Sequence, residues 1–324
     1  MTLPRRRFLH LAAGAAALPA MTRLASAQAY PSRPIRFVVP LAAGGGLDFV
    51  ARLGGEYLSR SIGQQIIVEN KVGAGGMLGI EAAAKSAPDG HTVLITTDGI
   101  ASTPHIVKFN VDYVRTLTPV SHLVRSAQII AVHPSLGVNS IAELIALAKQ
   151  KPGIGYATSG VGTNQHFLGE WIAHAAGVRL DHVPYRGAGQ AINDVIAGHV
   201  MVAVLGAAAV IPHHRAGTLR IIAQSGQARS RSLSDVPTLE EAGIKGVVLE
   251  NWQGAFVPEG TPVSIISRLN TELRNAMLDA SVGEKLLQAA YDPVGGSPEQ
   301  MAVLVREDSA KYARLARELK IKAE

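Results

Sequence analysis

An α/β protein of two sheet-and-helix halves is what this sequence predicts, and three observations carry the prediction. Short β-branched runs alternate with stretches of helical spacing, the pattern of parallel strands joined by helices. Several of these strands empty into glycine-rich turns that open straight into a helix. The alternation starts over near residue 153 with no low-complexity tract or flexible linker before it, so crossing strands, not a tether, should join the halves.

Residues 33–39 (RPIRFVV) end in an unbroken apolar run, which reads as a buried strand. PLAAGGGLD follows, with Gly44, Gly45 and Gly46 ahead of apolar residues Phe49, Val50, Leu53, Tyr57, Leu58 and Ile62 at helical spacing, and with Asp48 as N-cap. Residues 65–70 are a second strand, running through KVGAGGMLG into a small-residue helix that ends before Pro88-Asp89-Gly90. Residues 91–97 are a third, with Thr97, Asp98 and Gly99 at its exit. Residues 121–124 and 128–134 read as two separate strands. Ser140 with Glu143 then makes a capping box for a helix closed by Pro152-Gly153.

The second cycle repeats the scheme. Residues 153–160 form a strand and its exit, GVGTNQHF carries glycines into a helix, and Gly177 stops it. Residues 180–191 (LDHVPYRGAGQA) are again strand, glycine turn and helix start. Strands follow at 199–206 and 219–225, then a short helix with a Thr238/Glu241 capping box that Gly243 ends. Residues 247–262 look like an extended crossing segment. Two amphipathic helices finish the chain, the last beginning Ser297-Pro298 as N-cap and N1.

Glycine-bearing helix starts near 44, 75, 162 and 187 leave N–H groups unobstructed along helix axes whose dipoles favour an anion. If the halves face each other, these donors converge on a small carboxylate. A hydrogen bond to a charged group is worth about 1.5–3 kcal/mol, so four give roughly 6–12 gross. Association costs about 4–15, so one half alone cannot hold such a ligand and both must close on it. Rival chemistries lack their motifs: no GxGxxG follows the first strand, and GxxxxGK[ST], GxSxG and HExxH are all absent. No enzyme, cofactor or metal is therefore expected.

The chain has 324 residues, 47% apolar content and no cysteine, which excludes disorder, thiol catalysis and zinc–thiolate sites. Its charge of +6 falls to +2 once the four arginines of residues 1–27 are set aside, so a nucleic-acid partner is not expected. Those residues read as an export signal: RRRFL, an Ala/Leu-rich run, then Ala25-Ser26-Ala27 as cleavage site, with Ala29 as an alternative. RRRFL resembles the twin-arginine pattern, although Pro4 and His10 depart from the usual flanks and leave ordinary secretion open. The expected location is the bacterial periplasm.

Several single polar residues have a plain structural role as well as a functional one. Adjacent His213 and His214 point apart on most backbones and read as a surface turn. His166 stands in the first turn of a helix facing the cleft, and Trp252 either lines the cleft or packs a hinge. Asp48 is first a cap, and second an orienter of its loop or an acceptor for a ligand hydroxyl or water.

YPSRPIRFVVPLAAGGGLD, VENKVGAGG, APDGHT, HVPYRGAG, DVPTLEEAG and WQGAFVPEGTP together closely resemble the Bug family of periplasmic receptors, the TctC-like binding component of tripartite tricarboxylate transporters. The resemblance implies a two-lobed type II periplasmic-binding fold, each lobe a mostly parallel sheet flanked by helices, with the ligand cleft between them. Lobe 1 would comprise residues 28–127 plus 251–324, and lobe 2 residues 128–250. The leading expectation is a monomeric receptor that passes a small carboxylate to membrane permease subunits; the alternatives are a sensory receptor that docks on a membrane sensor kinase and, behind it, an enzyme using the loop N–H groups as an oxyanion hole. Contacts would come from Leu41, Gly44, Gly45, Gly46, Leu47, Asp48, Ala74, Gly75 and Thr97 on one side. Ser159, Gly162, Thr163, Asn164, His166, Tyr185, Gly187 and Leu205 would supply the other. Leu47 stands where members often carry threonine, and Leu205 where amino-acid binders tend to offer an acid. The ligand is therefore expected to lack an α-amino group and to present an apolar or aromatic body.

Overall fold

The structure, a computed structural model, describes residues 30–73, 76–106 and 113–321. The export signal and the candidate residues Ala74 and Gly75 lie outside the described residues. Ten strands form one mixed sheet: β1 (Ile35–Val39), β2 (Ile66–Asn70), β3 (Thr92–Thr97), β4 (Leu117–Val132), β5 (Ile154–Thr158), β6 (Leu180–Pro184), β7 (Val202–Gly206), β8 (Arg220–Gln224), β9 (Glu250–Pro258) and β10 (Asp292–Pro293). Their order is β2-β1-β3-β9-β4-β7-β5-β6, with β8 and β10 also paired to β4. The helices are α1 (Gly46–Ile62), α2 (Met77–Ala84), α3 (Gly99–Ser102), α4 (Tyr113–Thr116), α5 (Ile141–Gln150), α6 (Asn164–Ala176), α7 (Ala188–Ile196), α8 (Ala207–Arg215), α9 (Val263–Leu278), α10 (Ala280–Gln288) and α11 (Pro298–Glu318).

Two parallel groups stand on either side of β4 and β9. β1 pairs in parallel with β2 and β3, and β5 in parallel with β6 and β7. β9 and β4 run antiparallel to each other and to the groups they join. Residues 121–124 and 128–134 are not separate strands. Arg125, Ser126 and Ala127 pair with Trp252, Asn251 and Glu250, so the polar step lies within one 16-residue strand where two strands were expected.

Alternation along β4 divides the interior, as a period of two must. Ile130 and Val132 join Val38, Leu94, Tyr156, Trp252 and Tyr312 in one core, while Ala127, Ile129 and Ala131 join Ala203, Leu205 and Val210 in the other. Helix α11 covers the first of these cores with Met301, Val305, Tyr312 and Leu315. It starts with a complete capping box, Ser297 and Gln300 exchanging side-chain and backbone bonds, and has Pro298 at N1.

Three local expectations are corrected. The Thr238/Glu241 box forms in both directions, but Gly243, at φ 93°, ends it after a single turn, so no helix results. His213 and His214 are not in a surface turn; they fill the last turn of α8, which contains Pro212. Between the two amphipathic helices lies a third, α10, whose N-cap Asp279 accepts the Ser281 and Val282 N–H groups.

Candidate functional site

Strand registers alone bring the glycine loops together. Thr97, at the carboxyl end of β3, lies opposite Gln253, which lies opposite Val124 of β4. Gly206, at the carboxyl end of β7, lies opposite Gln128 of β4. Because β3 runs with β4 and β7 against it, these two ends point toward each other across four residues of β4, about 13 Å at 3.3 Å per residue. β1 runs with β3, and β5 and β6 with β7, so every parallel strand sends its exit loop to this seam. Open α/β sheets bind ligands outside the carboxyl ends of their strands.

The loop after β1, residues 41–45, is exposed. Gly44 takes φ +80° with open space around its α-carbon, and Leu41, 40% exposed, has its carbonyl held by Asn70 Nδ2 at 3.0 Å. Asp48 is not the N-cap. Gly45 occupies that position without a side-chain cap, because the glycines let the helix begin three residues earlier than expected. Asp48 instead reaches back: its Oδ2 accepts the Gly44 N–H at 2.9 Å and the Arg52 Nε–H at 2.9 Å. Burial pushes its pKa up, yet the Arg52, Gly44 and Asn70 hydrogen bonds hold it below the ordinary carboxylate value. The Gly44 amide is thereby committed, while the Gly46, Leu47 and Asp48 N–H groups have no acceptor within the helix. Leu47 itself is buried. Gly46 has no room for a side chain, since a Cβ there would stand 1.8 Å from the Tyr291 hydroxyl.

The loop after β5 repeats the arrangement. Thr163 caps α6 by accepting the His166 N–H, and His166 Nδ1 accepts the Gly162 N–H at 3.1 Å. Thr158 Oγ1 accepts the Gly160 N–H at 3.2 Å and meets His182 Nε2 at 2.7 Å. Ser159 Oγ donates to Gln165 Oε1 at 2.6 Å, and Gln165 Nε2 donates to Gln128 Oε1 at 3.2 Å. A polar chain therefore runs from this loop to β4.

The two sides of the seam touch through Asp98. Its carboxylate accepts Asn164 Nδ2 at 2.8 Å, the Tyr312 hydroxyl at 2.6 Å and Asn251 Nδ2. Full burial lifts its pKa to about 6, against the pull of the Tyr312 and Asn164 bonds and with help from the charge of Asp308. Trp252 is buried and donates Nε1–H to Asp308 Oδ2 at 2.6 Å, so it packs beneath α11.

Not every expected residue offers its side chain to the seam. Leu205 is fully buried in the second core; alternation along β7 turns it inward, so the absence of an acid there says nothing about a ligand. Tyr185 commits its hydroxyl to Asp194 Oδ2 at 2.6 Å. His166 stacks on His182, ring centroids 3.8 Å apart. Asn164 donates to Asp98 and to Tyr312. Thr97 Oγ1 accepts the Gly99 N–H at 3.2 Å, and Gly187 precedes α7 with open space around it. Asp98, Gln253 and Tyr291 were not anticipated. Gln253 is 2% exposed and its Oε1 has no partner among the described residues.

Among the described residues no cluster of His, Cys, Asp and Glu could hold a metal ion, and no helix is long and apolar enough to cross a membrane. The family model described as tripartite tricarboxylate transporter family receptor matches residues 50–321. BugT of Bordetella pertussis is 33% identical over 300 residues, 90% of this chain and 91% of its own. Rpa4515 of R. palustris, solved with adipate, superposes with a TM-score of 0.83 at 32% identity, covering 90% of this chain and 99% of that one. MatC from Rhodopseudomonas palustris, with bound malate, gives 0.77 at 27% identity over 88% and 99%. BugD, a periplasmic binding protein, gives 0.79 at 29% identity over 91% and 100%. A match of this length, on a sheet whose strand ends meet at one seam, means that the chain belongs to the tripartite tricarboxylate transporter receptor family of periplasmic solute-binding proteins.

Proposed function

We propose that this protein is a periplasmic receptor that closes on a small carboxylate and hands it to the permease subunits of a tripartite tricarboxylate transporter. The lobes would be residues 28–127 with 251–324, and residues 128–250. Residues 1–27 would direct export. The opposed carboxyl ends of β3 and β7 carry the reading. They bring uncommitted N–H groups at the starts of α1 and α6 to one seam, where an anion gains from both helix dipoles. Bound adipate and malate in two related structures support a carboxylate as the guest.

The guest would carry no ammonium group. Asp48 is already engaged by Arg52 and Gly44, and Asp98 by Tyr312, Asn164 and Asn251. Neither is free to balance a second cation.

Native mass spectrometry of freshly purified protein, then a thermal-shift panel including adipate and malate, tests the reading. A ligand at 100 times its Kd adds about 2.7 kcal/mol of stability. A panel of mono- and dicarboxylates in which none raises the melting temperature would overturn it. Calorimetry in which aspartate or glutamate binds more tightly than adipate would overturn the exclusion of an ammonium group.

A further inference from the structure

Of the two glycine amides bonded in the loop after β5, one is accepted by an imidazole and the other by a threonine hydroxyl that a second imidazole contacts. The Gly162 N–H donates to His166 Nδ1 at 3.1 Å. The Gly160 N–H donates to Thr158 Oγ1 at 3.2 Å, and that oxygen meets His182 Nε2 at 2.7 Å. The two rings lie face to face, centroids 3.8 Å apart and 9° from parallel. An imidazole that accepts an N–H at Nδ1 carries no proton there, so the Gly162 bond exists only with His166 neutral. Protonation would set an N–H against an N–H and place a charge on a ring stacked against a second base.

We propose that His166, supported by the stacked His182, is a positioning residue that holds the 159–163 loop in its binding geometry only while its own ring is neutral, so that solute capture weakens as the surroundings acidify. The inference rests on the receptor reading for its link to capture, but not for the behaviour of the loop. Burial pushes both rings down to about 4, with His166 adding to the effect on His182. Three other groups stand close by: the Tyr156 hydroxyl from β5, bonded to Glu170 Oε1 at 2.7 Å, Glu170 on α6, and Lys320 beyond α11, with Tyr156 also 5.2 Å from His182 ring to ring. Glu170 keeps its negative charge while it accepts the tyrosine, but Lys320 offsets it, so two imidazolium charges there are not balanced. A cavity of about 320 Å³ lined by Val161, His166, His182 and Pro184 gives protons access. Because the folded values lie below the ordinary 6.5, the lock is complete above about pH 6.5 and is lost as pH falls through about 4.

The test is made on the whole mature protein, first without ligand. Ring ¹⁵N resonances of His166 and His182 and exchange of the Gly160 and Gly162 amides are followed from pH 7.5 to 4.5 in wild type, His166→Asn and His182→Phe. Wild type should show an unprotonated His166 Nδ1 at pH 7.5. Its Gly162 protection, corrected for intrinsic exchange, should fall by up to about tenfold per pH unit between the ordinary imidazole value of about 6.5 and the folded value of about 4. His166→Asn, whose Oδ1 accepts without titrating, should keep Gly162 protection flat. His182→Phe, which keeps the stack and removes one base, should raise the His166 midpoint. Flat protection in wild type, or an equal fall in His166→Asn, would overturn the proposal. Adipate calorimetry at pH 7.5 and 5.0 then reads capture: the affinity loss should be about fivefold larger in wild type than in His166→Asn, which carries only adipate's own titration. Equal losses would overturn the link to capture. Failure of adipate to bind at either pH would count against adipate as the solute, and the loop resonances would still decide the positioning role.

Discussion

At the end of β1 the Gly44 amide is accepted by Asp48; at the end of β5 the Gly162 amide is accepted by His166. In both the acceptor is the third residue of the helix that follows. The pattern recurs where Asn139 N–H meets Glu143 Oε2 and Arg186 N–H meets Gln190 Oε1. A strand that turns sharply into a helix leaves one loop amide pointing back over the first turn, and a polar side chain at N3 is the nearest group able to take it. The topology dictates the position of the acceptor and leaves its chemistry free. One loop uses a carboxylate tied to an arginine, the other a neutral ring stacked on a second ring. The first arrangement holds wherever Asp48 is ionised; the second depends on the proton concentration.

Several measurements would break or sharpen that contrast. The largest effect concerns Asp98, which receives Asn164 from the second loop. Its folded pKa of about 6 lies above the ordinary 3.9, so its contribution is complete below about pH 4 and is lost as pH rises through 6, about 3 kcal/mol in all. The histidine lock runs the opposite way. Urea unfolding across pH 4–8 should show the Asp98 slope, and Asp98→Asn should flatten it; an unchanged slope would mean another group is responsible.

The helix N1 positions come next. Gly46→Ala drives a methyl into the Tyr291 hydroxyl and should cost about 2 kcal/mol by overpacking. Adding Tyr291→Phe should recover most of it, and a double-mutant cycle without coupling would refute the clash. At the same position in α6, Asn164→Ala removes two donors from the Asp98 cluster and should cost about 1–2 kcal/mol, with no rescue from Tyr291→Phe.

Smallest is Gly44→Ala. Nothing crowds that α-carbon, so the cost is only that of φ +80°, about 1 kcal/mol. Gly162→Ala should exceed it, because a Cβ there meets Ile106 Cδ1 at 3.0 Å as well as φ +77°. Equal melting temperatures for the two variants would remove the steric difference between the loops.

Strand and helix periodicity in the sequence locates the longer elements, which are amphipathic segments bounded by glycine or proline, but not α3, α4, α8, α10 or β10. β4 was misread because Arg125 and Ser126 look like loop residues, while their pairing with β9 comes from more than 120 positions along the chain. Loop positions are legible from glycine, but the helix cap lies three residues before Asp48, at Gly45, since three consecutive glycines do not mark which one caps the helix. Leu205 failed for want of phase: alternation along a fully apolar strand is invisible in sequence. Nothing local announces Asp98, whose partners Asn164 and Tyr312 lie 66 and 214 residues away. His182 was equally silent, an isolated histidine on a strand whose partner is fixed only when β5 and β6 align.

The connectivity of β9, α9 and α11 bears on how the molecule comes to be folded. Residues between β4 and β9 are contiguous and carry β5 to β8 with their helices, so that region can consolidate while the rest of the chain is still emerging. β1 to β3 must wait, for β3 pairs with β9 and its core is roofed by the final long helix. A nascent chain that stops short of β9 would display the edge of β3 unpaired. Quality control that recognises bare strand edges would therefore report whether synthesis had passed β9.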